Sequence, residues 1–139
     1  MTPIEFTIPV IPVAQGRPRF FRRGSYVSTY DPARSKAHKE LIAMCAKSKI
    51  DRPLKGPVII AIVFLFPRPQ TLTKKSSPQG IIPHIKRPDG DNLIKAILDG
   101  MNGIAYKDDS QVFDISAKKY YCAIGREPET LVSIHAPEQ

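Results

Sequence analysis

The hydrophobic pattern at the start of the chain predicts a strand. From residue 4 to residue 10 every second residue is hydrophobic, and the residues between them are polar or proline. This period of two is typical of a strand with one buried face. A basic loop broken by proline and glycine follows over residues 11–19, and residues 20–27 predict a short hairpin that turns at Gly24.

A helix is predicted from Asp31 and Pro32 to about residue 50. The Asp31 side chain can accept hydrogen bonds from free N–H groups of the first turn, and a proline at the first helical position loses no hydrogen bond. The sequence Asp51-Arg52-Pro53 favours its end. Spacings of three and four predict one buried stripe, formed by Ala37, Leu41, Met44, Cys45 and Ser48.

The second half of the chain predicts strands and one more helix. Residues 57–66 are a continuous hydrophobic run, typical of a strand covered on both faces. Residues 67–88, with five prolines, predict a long loop. A helix over residues 91–101 follows, and a turn at residues 107–110 precedes two further strands. The helix's predicted inward face is formed by Ile94, Ile97, Leu98 and Met101.

This order of elements predicts the fold class. Strands and helices that do not alternate regularly indicate an α+β protein. We expect a single domain over residues 1–139, with a mixed β-sheet and two main helices packed on one face. A chain of 139 residues with 42% hydrophobic residues can form one modest core.

Composition excludes several classes of protein. No stretch approaches the roughly 20 apolar residues of a membrane span, and the first residues are not typical of a signal peptide. Cys45 and Cys122 lie far apart and indicate neither a disulfide framework nor a zinc site. We therefore expect a cytoplasmic protein with no membrane part.

The charge is distributed unevenly. The net charge of +8 and the pI of about 9.7 indicate a polyanionic partner, most often nucleic acid. Residues 1–88 carry sixteen basic and four acidic residues, whereas residues 89–114 carry six aspartates and two lysines. An acidic segment inside a chain that attracts phosphates indicates a cation site. The alternative is that these acids cap helices and keep the protein soluble.

The acidic segment has the residue types of a site that hydrolyses phosphodiesters. Such a reaction needs an activated water and stabilisation of negative charge, and Mg²⁺ or Mn²⁺ supplies both while preferring carboxylates and water as ligands. Asp89 and Asp91 flank Gly90, which leaves room for a metal ion or a phosphate. A third carboxylate would come from the turn that contains Asp108 and Asp109. Without a cation these carboxylates would repel one another.

Lys95 follows Asp91 by one helical turn and would place an ammonium beside a phosphate oxygen. Two structural alternatives remain open. Asp91 and Lys95 are also an ordinary helix pair, and Asp91 is a residue type that caps helices. Asp99 would then simply continue the same solvated stripe. An Asp-x-Asp motif alone is weak, although this one lacks the later ligands of a calcium-binding EF-hand loop.

Together these motifs resemble a known family. The segment Asp89-Gly90-Asp91-Asn92-Leu93-x-Lys95, with Asp99 and then residues 108–112 (DDSQV), resembles the signature of the RusA family of Holliday-junction endonucleases. Residues 9–19 (PVIPVAQGRPR) are similar to the start of phage-type members. The resemblance covers most of the chain. The loop at residues 67–88 is longer than in shorter members, which leaves junction selectivity open.

The resemblance implies a function and a set of site residues. It implies a homodimer with one acidic site per subunit, dependence on Mg²⁺, and paired symmetric nicks across a four-way DNA junction in recombination and repair. The family's metal carboxylates fall on Asp89, Asp91 and Asp109, with Asp108 the alternative for the third. The family's catalytic lysine falls on Lys95. No small-molecule cofactor is implied, and we expect Mn²⁺ to substitute for Mg²⁺.

Other candidates follow from residue type. His84 is close enough in sequence to contact the metal or DNA, and we expect His38 on a helix surface and His135 in a strand. A non-catalytic nucleic-acid-binding module remains the alternative function. A nucleotide-dependent enzyme is disfavoured because no glycine motif for phosphates is present. Eight basic residues are candidate phosphate contacts: Arg17, Arg19, Arg22, Arg23, Lys74, Lys75, Lys86 and Arg87.

Overall fold

The computed structural model describes residues 2–15 and 32–137. These residues form one sheet and two helices, and the hairpin predicted at residues 20–27 lies outside them. The helices are α1 (Pro32–Lys47) and α2 (Gly90–Met101). The strands are β1 (Ile4–Ile8), β2 (Val58–Phe66), β3 (Ile82–Pro83), β4 (Val112–Tyr121) and β5 (Glu129–His135).

The sheet is mixed, with its strands in the order β1-β5-β2-β4-β3. β2 and β4 run parallel, and the other neighbouring strands are antiparallel. Parallel neighbours need a crossover connection, and here the chain between them includes α2.

Both helices cover the same face of the sheet. Phe6, Val132 and Ile62 are neighbours across β1, β5 and β2, and all three are buried together with Ile42 of α1 and Ile97 of α2. The predicted α+β fold, with two helices on one face of a mixed sheet, is therefore confirmed.

The two helices approach each other closely at Gly100. A Cβ atom at this position would lie 2.6 Å from Cγ2 and 2.8 Å from Cβ of Ile42. Atoms of a side chain cannot pack that closely, so the contact between α1 and α2 depends on glycine. This contact holds α2, and the polar residues along it, at a fixed distance from α1.

The face of β2 that points away from the helices is less buried than the sequence predicts. Ile59, Val63 and Leu65 are half-buried and Ala61 is exposed, so β2 is not covered on both faces. The hydrophobic run reflects burial on the helix side together with partial shielding by neighbouring strands. A continuous run therefore did not require a second layer.

The buried stripe of α1 also differs from the predicted one. Its buried residues are His38, Ile42 and Ala46, whereas Met44 is 62% exposed. The true stripe is displaced by one position because it begins with a histidine, which pattern analysis treats as polar. The prediction of a surface position for His38 was wrong: burial, and then the charge of Arg34, lower its pKa.

The segment predicted as a long loop carries organised structure. It contains a 3-10 turn, Gln70–Leu72, and the short strand β3. The Arg68 guanidinium donates to the carbonyls of Cys122 (2.8 Å), Leu72 (2.9 Å) and Gly80. One side chain thus ties the segment to the end of β4. No helix within the described residues is long and apolar enough to cross a membrane.

Candidate active site

Helix α2 carries the central polar stripe. Asp91, Lys95 and Asp99 are spaced by four residues and so follow one face of the helix. The other face is held in the core by Leu93 and Ile97, both fully buried. Lys95 Nζ lies 3.3 Å from Asp99 Oδ2, and the two side chains are 44% and 20% exposed. The ammonium is therefore held on the helix surface and remains accessible.

The start of α2 leaves one carboxylate uncommitted to the helix. Asp89 occupies the N-cap position, yet its side chain makes no capping hydrogen bond. Its exposed carboxylate is therefore not used to begin the helix, although aspartate at this position usually is. Asp91 Oδ1 accepts a hydrogen bond from the backbone N–H of Asn92 at 2.9 Å. The interpretation of Asp91 as the cap is wrong, because the cap is Asp89.

The turn before β4 distinguishes its two acids. Asp108 is the N-cap of the 3-10 turn Asp109–Gln111 and accepts hydrogen bonds from the backbone N–H and the hydroxyl of Ser110. These hydrogen bonds lower the pKa of Asp108. Asp109 is the half-buried neighbour. Asp108 is thus engaged within its own turn, which favours Asp109 as the acid available for a ligand.

Gln111 attaches this turn to the rest of the protein. Its Nε2 donates to the carbonyls of Leu54 (2.9 Å) and Gly56 (3.0 Å), just before β2. Its Oε1 accepts from the backbone N–H groups of Lys107 (2.9 Å) and Asp108 (3.1 Å). Sequence analysis missed this residue. The available signal was the Asp-x-x-Gln spacing of a capping box.

Tyr106 lies between the two acidic segments. It is fully buried and its hydroxyl donates to the carbonyl of Leu98 at 2.7 Å. Burial, followed by the negative charges of Asp109, Asp99 and Asp108, raises its pKa well above the usual range. Acids of α2 and of the turn therefore act on one buried hydroxyl.

The segment that leads into Asp89 is held by β4. Lys119 Nζ donates to the carbonyls of Pro88 (2.7 Å) and Lys86. The Lys119 carbonyl in turn accepts from the backbone N–H of His84 at 3.0 Å. Lys119 thereby fixes the residues directly before Asp89, a role that sequence analysis did not predict because its partners are backbone atoms.

His84 is held by two aromatic contacts and one hydrogen bond, and its predicted contact with the metal or DNA stays a prediction. Its ring stacks on Tyr121, with centroids 4.3 Å apart, and meets Phe66 edge-on at 4.7 Å. Its Nδ1 accepts from the backbone N–H of Lys86 at 3.2 Å, which requires the unprotonated ring. Burial, then the charges of Lys119 and Lys86, lower its pKa and favour that form.

The part of the chain that the structure describes contains no preformed cluster of three metal-binding side chains. Across residues 2–15 and 32–137, no three side chains of His, Cys, Asp or Glu come together in a group that could hold a metal ion. Asp89 and Asp91 lie at the start of α2, while Asp109 shares the environment of Tyr106 with Asp99, near the other end of the helix. The predicted meeting of three carboxylates around one ion stays a prediction.

The predicted DNA contacts divide into two groups. Arg17, Arg19, Arg22 and Arg23 lie outside the described residues. The remaining four basic residues are exposed, and two of them lie just before Asp89 in the sequence. They are Lys74, Lys75, Lys86 and Arg87.

A match to a known family identifies the class of protein to which this chain belongs. The sequence profile of the family described as endodeoxyribonuclease RusA matches residues 9–135. The chain is also 36% identical over 137 residues to a protein of Bacillus subtilis (strain 168) named "Uncharacterized protein YqaN", with 94% of each chain covered. Because the family profile covers nearly the whole chain, this protein belongs to the RusA endodeoxyribonuclease family.

Proposed function

We propose that this protein is a Mg²⁺-dependent endonuclease that resolves four-way DNA junctions by paired symmetric nicks, in DNA recombination and repair. The observation that carries the proposal is the acidic stripe of Asp89, Asp91 and Lys95 on one exposed end of α2, in a chain of net charge +8 that belongs to a DNA endonuclease family. A basic surface attracts DNA, and the acids locate the chemistry within it. Its proposed place of action is the cytoplasm of a bacterial or phage-infected cell.

The proposed chemistry is hydrolysis of one phosphodiester per subunit. A bond forms between a water oxygen and phosphorus, and the bond from phosphorus to one ester oxygen breaks. Negative charge increases on the phosphoryl oxygens as this happens, and the accessible Lys95 ammonium is the chain's own group that can stabilise it. Asp99, paired with Lys95, limits the positions that this ammonium can take.

Mg²⁺ is proposed because the residues of the site offer carboxylate oxygens as donors. Asp89, Asp91 and Asp109 offer carboxylate oxygens, the donors that Mg²⁺ and Mn²⁺ prefer, and are the residues proposed to hold the ion. The uncommitted carboxylate of Asp89 and the engagement of Asp108 within its turn support this choice. Bound, the ion would supply an activated water and a positive charge beside the phosphate.

The homodimer follows from the same reaction. Each chain carries one acidic stripe, and two matched strands of a junction must be cut, so a two-fold pair of subunits supplies two sites. A supercoiled plasmid with a cruciform tests this directly. Two nicks in one binding event give linear plasmid in the presence of Mg²⁺, whereas single nicks give open circles.

A second candidate is a non-catalytic nucleic-acid-binding module. The net charge of +8 and the exposed basic residues Lys86 and Arg87 favour it. This candidate predicts salt-sensitive junction binding without any cleavage in Mg²⁺. The cruciform assay separates the two: supercoiled plasmid that stays intact, at protein concentrations where it is bound, would contradict the nuclease.

A further inference from the structure

The side chain of Lys119 leaves β4 on the face of the sheet that carries the helices. Its neighbour in register on β2 is Phe64, which is buried in the core on that face. Because side chains alternate between the two faces of a strand, the Lys119 ammonium lies on the same side of the sheet as α2. It can therefore reach the segment that leads into α2, although 31 residues separate Lys119 from Pro88.

Residues 85–88 depend on this ammonium for their attachment to the sheet. The backbone N–H of His84 donates to the carbonyl of Lys119, and the pairing of β3 with β4 ends there. Beyond this point Lys119 Nζ donates to the carbonyls of Lys86 and Pro88, the latter at 2.7 Å. Among the described residues, no other group of the sheet hydrogen-bonds this stretch. The side chain thus continues the attachment after the strand pairing stops.

Asp89 is held through its backbone on both sides. The carbonyl of Pro88 and the N–H of Asp89 belong to one rigid peptide plane, so the hydrogen bond from Lys119 also restrains the orientation of the chain as it enters Asp89. On the other side, the carbonyl of Asp89 accepts from the backbone N–H of Leu93 at 3.2 Å, and Leu93 is fully buried. The direction in which the Asp89 side chain leaves the backbone is therefore set from both sides, while its carboxylate makes no capping hydrogen bond.

We infer that Lys119 is a positioning residue for DNA cleavage, which holds the Pro88 carbonyl and thereby sets the position of the Asp89 carboxylate, one of the proposed metal ligands. The inference rests on the proposed function for its effect on cleavage, but the hydrogen bonds that carry it do not. Ordering a long lysine side chain costs conformational entropy, which a plain surface lysine does not lose. Groups that orient a metal ligand without touching the ion affect both metal affinity and activity.

Three variants separate positioning from charge. Lys119→Met keeps an unbranched side chain but removes the donors to both carbonyls. Lys118→Met, at the exposed neighbouring position, removes the same charge and is the matched control. Lys119→Arg keeps a cation whose guanidinium can donate to both carbonyls. Because the two methionine variants lose equal charge, their junction binding should weaken to a similar, small extent.

Cleavage should respond to position 119 and not to position 118. With the junction saturated by protein in Mg²⁺, Lys119→Met should cut roughly 10- to 100-fold more slowly and need more Mg²⁺ for half of its full rate, because a metal ligand has lost its support. Lys118→Met should cut like the unmodified chain, and Lys119→Arg should recover most of the rate. Circular dichroism checks that each variant is folded at the assay temperature. Equal cleavage by the two methionine variants, or a loss of junction binding confined to Lys119→Met, would overturn the inference.

Two measurements without DNA test the hold on Asp89. In the isotope-labelled chain, the NMR signals of the Pro88 carbonyl carbon and the Asp89 amide should shift in Lys119→Met, stay in place in Lys118→Met, and return toward their original positions in Lys119→Arg. Binding of Mn²⁺, followed by electron paramagnetic resonance, should weaken roughly 10- to 100-fold in Lys119→Met. Unchanged signals or unchanged Mn²⁺ affinity in Lys119→Met would overturn the inference. An unmodified chain that binds Mn²⁺ but cuts no junction would instead contradict the proposed nuclease, while Lys119 would still position a ligand of the ion.

Discussion

The side-chain amide of Gln111 donates a hydrogen bond to the carbonyl of Leu54 over 2.9 Å, across 57 residues of sequence. The same amide group bonds Gly56, Lys107 and Asp108. A single side chain thus connects the turn that carries Asp109 to the segment that precedes β2. The position of Asp109 depends on tertiary structure rather than on its turn alone.

Gln111→Glu should break the hydrogen bonds that attach the turn to the segment before β2, while it keeps the hydrogen bonds within the turn. The carboxylate keeps the acceptor for Lys107 and Asp108 but loses the donor and faces two carbonyl oxygens. We expect the free energy of unfolding to fall by about 1–3 kcal/mol in urea titrations, and DNA cleavage to fall at least tenfold as Asp109 is displaced. Gln79→Glu, at an exposed position, is the matched control. Unchanged stability and cleavage in Gln111→Glu would show that the hydrogen bonds are dispensable.

Two adjacent acids provide a matched pair of variants. Asp109→Asn and Asp108→Asn each remove one negative charge from the same turn. Since the amide oxygen of the substituted side chain in Asp108→Asn can still accept from Ser110, the turn should survive, and this variant should retain most of the cleavage activity. Asp109→Asn should lose cleavage by at least a hundredfold at unchanged thermal stability. If Asp108→Asn lost more cleavage activity than Asp109→Asn, Asp108 would be the metal ligand instead.

Gly90→Ala tests for a close approach of phosphate to α2. A Cβ atom at Gly90 would meet no protein atom within 4 Å. Alanine in a helix should leave stability unchanged or raise it by up to about 1 kcal/mol. We nevertheless expect cleavage to decrease at least tenfold if the DNA backbone passes this position. Full activity in junction cleavage would show that the space beside Gly90 is not used.

Gly100→Ala tests the contact between the helices. The added methyl group would overlap Ile42, and overpacking of this kind costs about 1–3 kcal/mol, more than the helix propensity gained. Thermal or urea unfolding measures the loss. Gly80→Ala, where a Cβ atom meets nothing within 4 Å, serves as the control. Equal stability of both variants would contradict the packing described for α1 and α2.

The lowered pKa values of His84 and His38 predict how the free energy of unfolding changes with pH. The pKa of His84 is lowered in the folded protein, so the unfolded chain binds more protons as the pH falls. Stability from this group is fully present above about pH 6.5, the unfolded value, and is lost as the pH falls toward the folded pKa. His84→Phe keeps a ring between Phe66 and Tyr121 and should reduce the slope of the unfolding free energy as the pH falls below about 6.5. An unchanged slope would assign the dependence to His38, whose pKa is lowered too.

Much of the fold was predictable from local pattern. Strands β1, β2, β4 and β5, helix α2 and the turn before β4 follow from periodicity and capping residues, since these signals lie within a few neighbouring residues. The stripe of α1 was predicted one position away because buried His38 has a polar side chain. The partial cover of β2 was not predictable either, because it depends on which elements pack on each face.

The residue types of the site were predictable from the sequence, but the residues that hold them in place were not. Asp89, Asp91, Lys95 and Asp109 are recognisable from spacing and family resemblance, and their catalytic and metal-binding roles stay predictions. The residues that position them, Gln111 and Lys119, bond backbone carbonyls distant in sequence. Backbone partners leave no residue pattern, so a single sequence carries no signal for these contacts beyond the capping box.

The central claim is that Asp91 serves cleavage rather than folding or DNA binding. The most direct measurement compares the unmodified chain with Asp91→Asn for binding to a labelled four-way junction and for its cleavage in Mg²⁺, at equal protein concentration. We predict that Asp91→Asn binds as tightly or more tightly, because a negative charge near phosphate is removed, and produces no nicks. Nicking that persists in Asp91→Asn, or junction binding that is lost together with cleavage, would contradict this assignment.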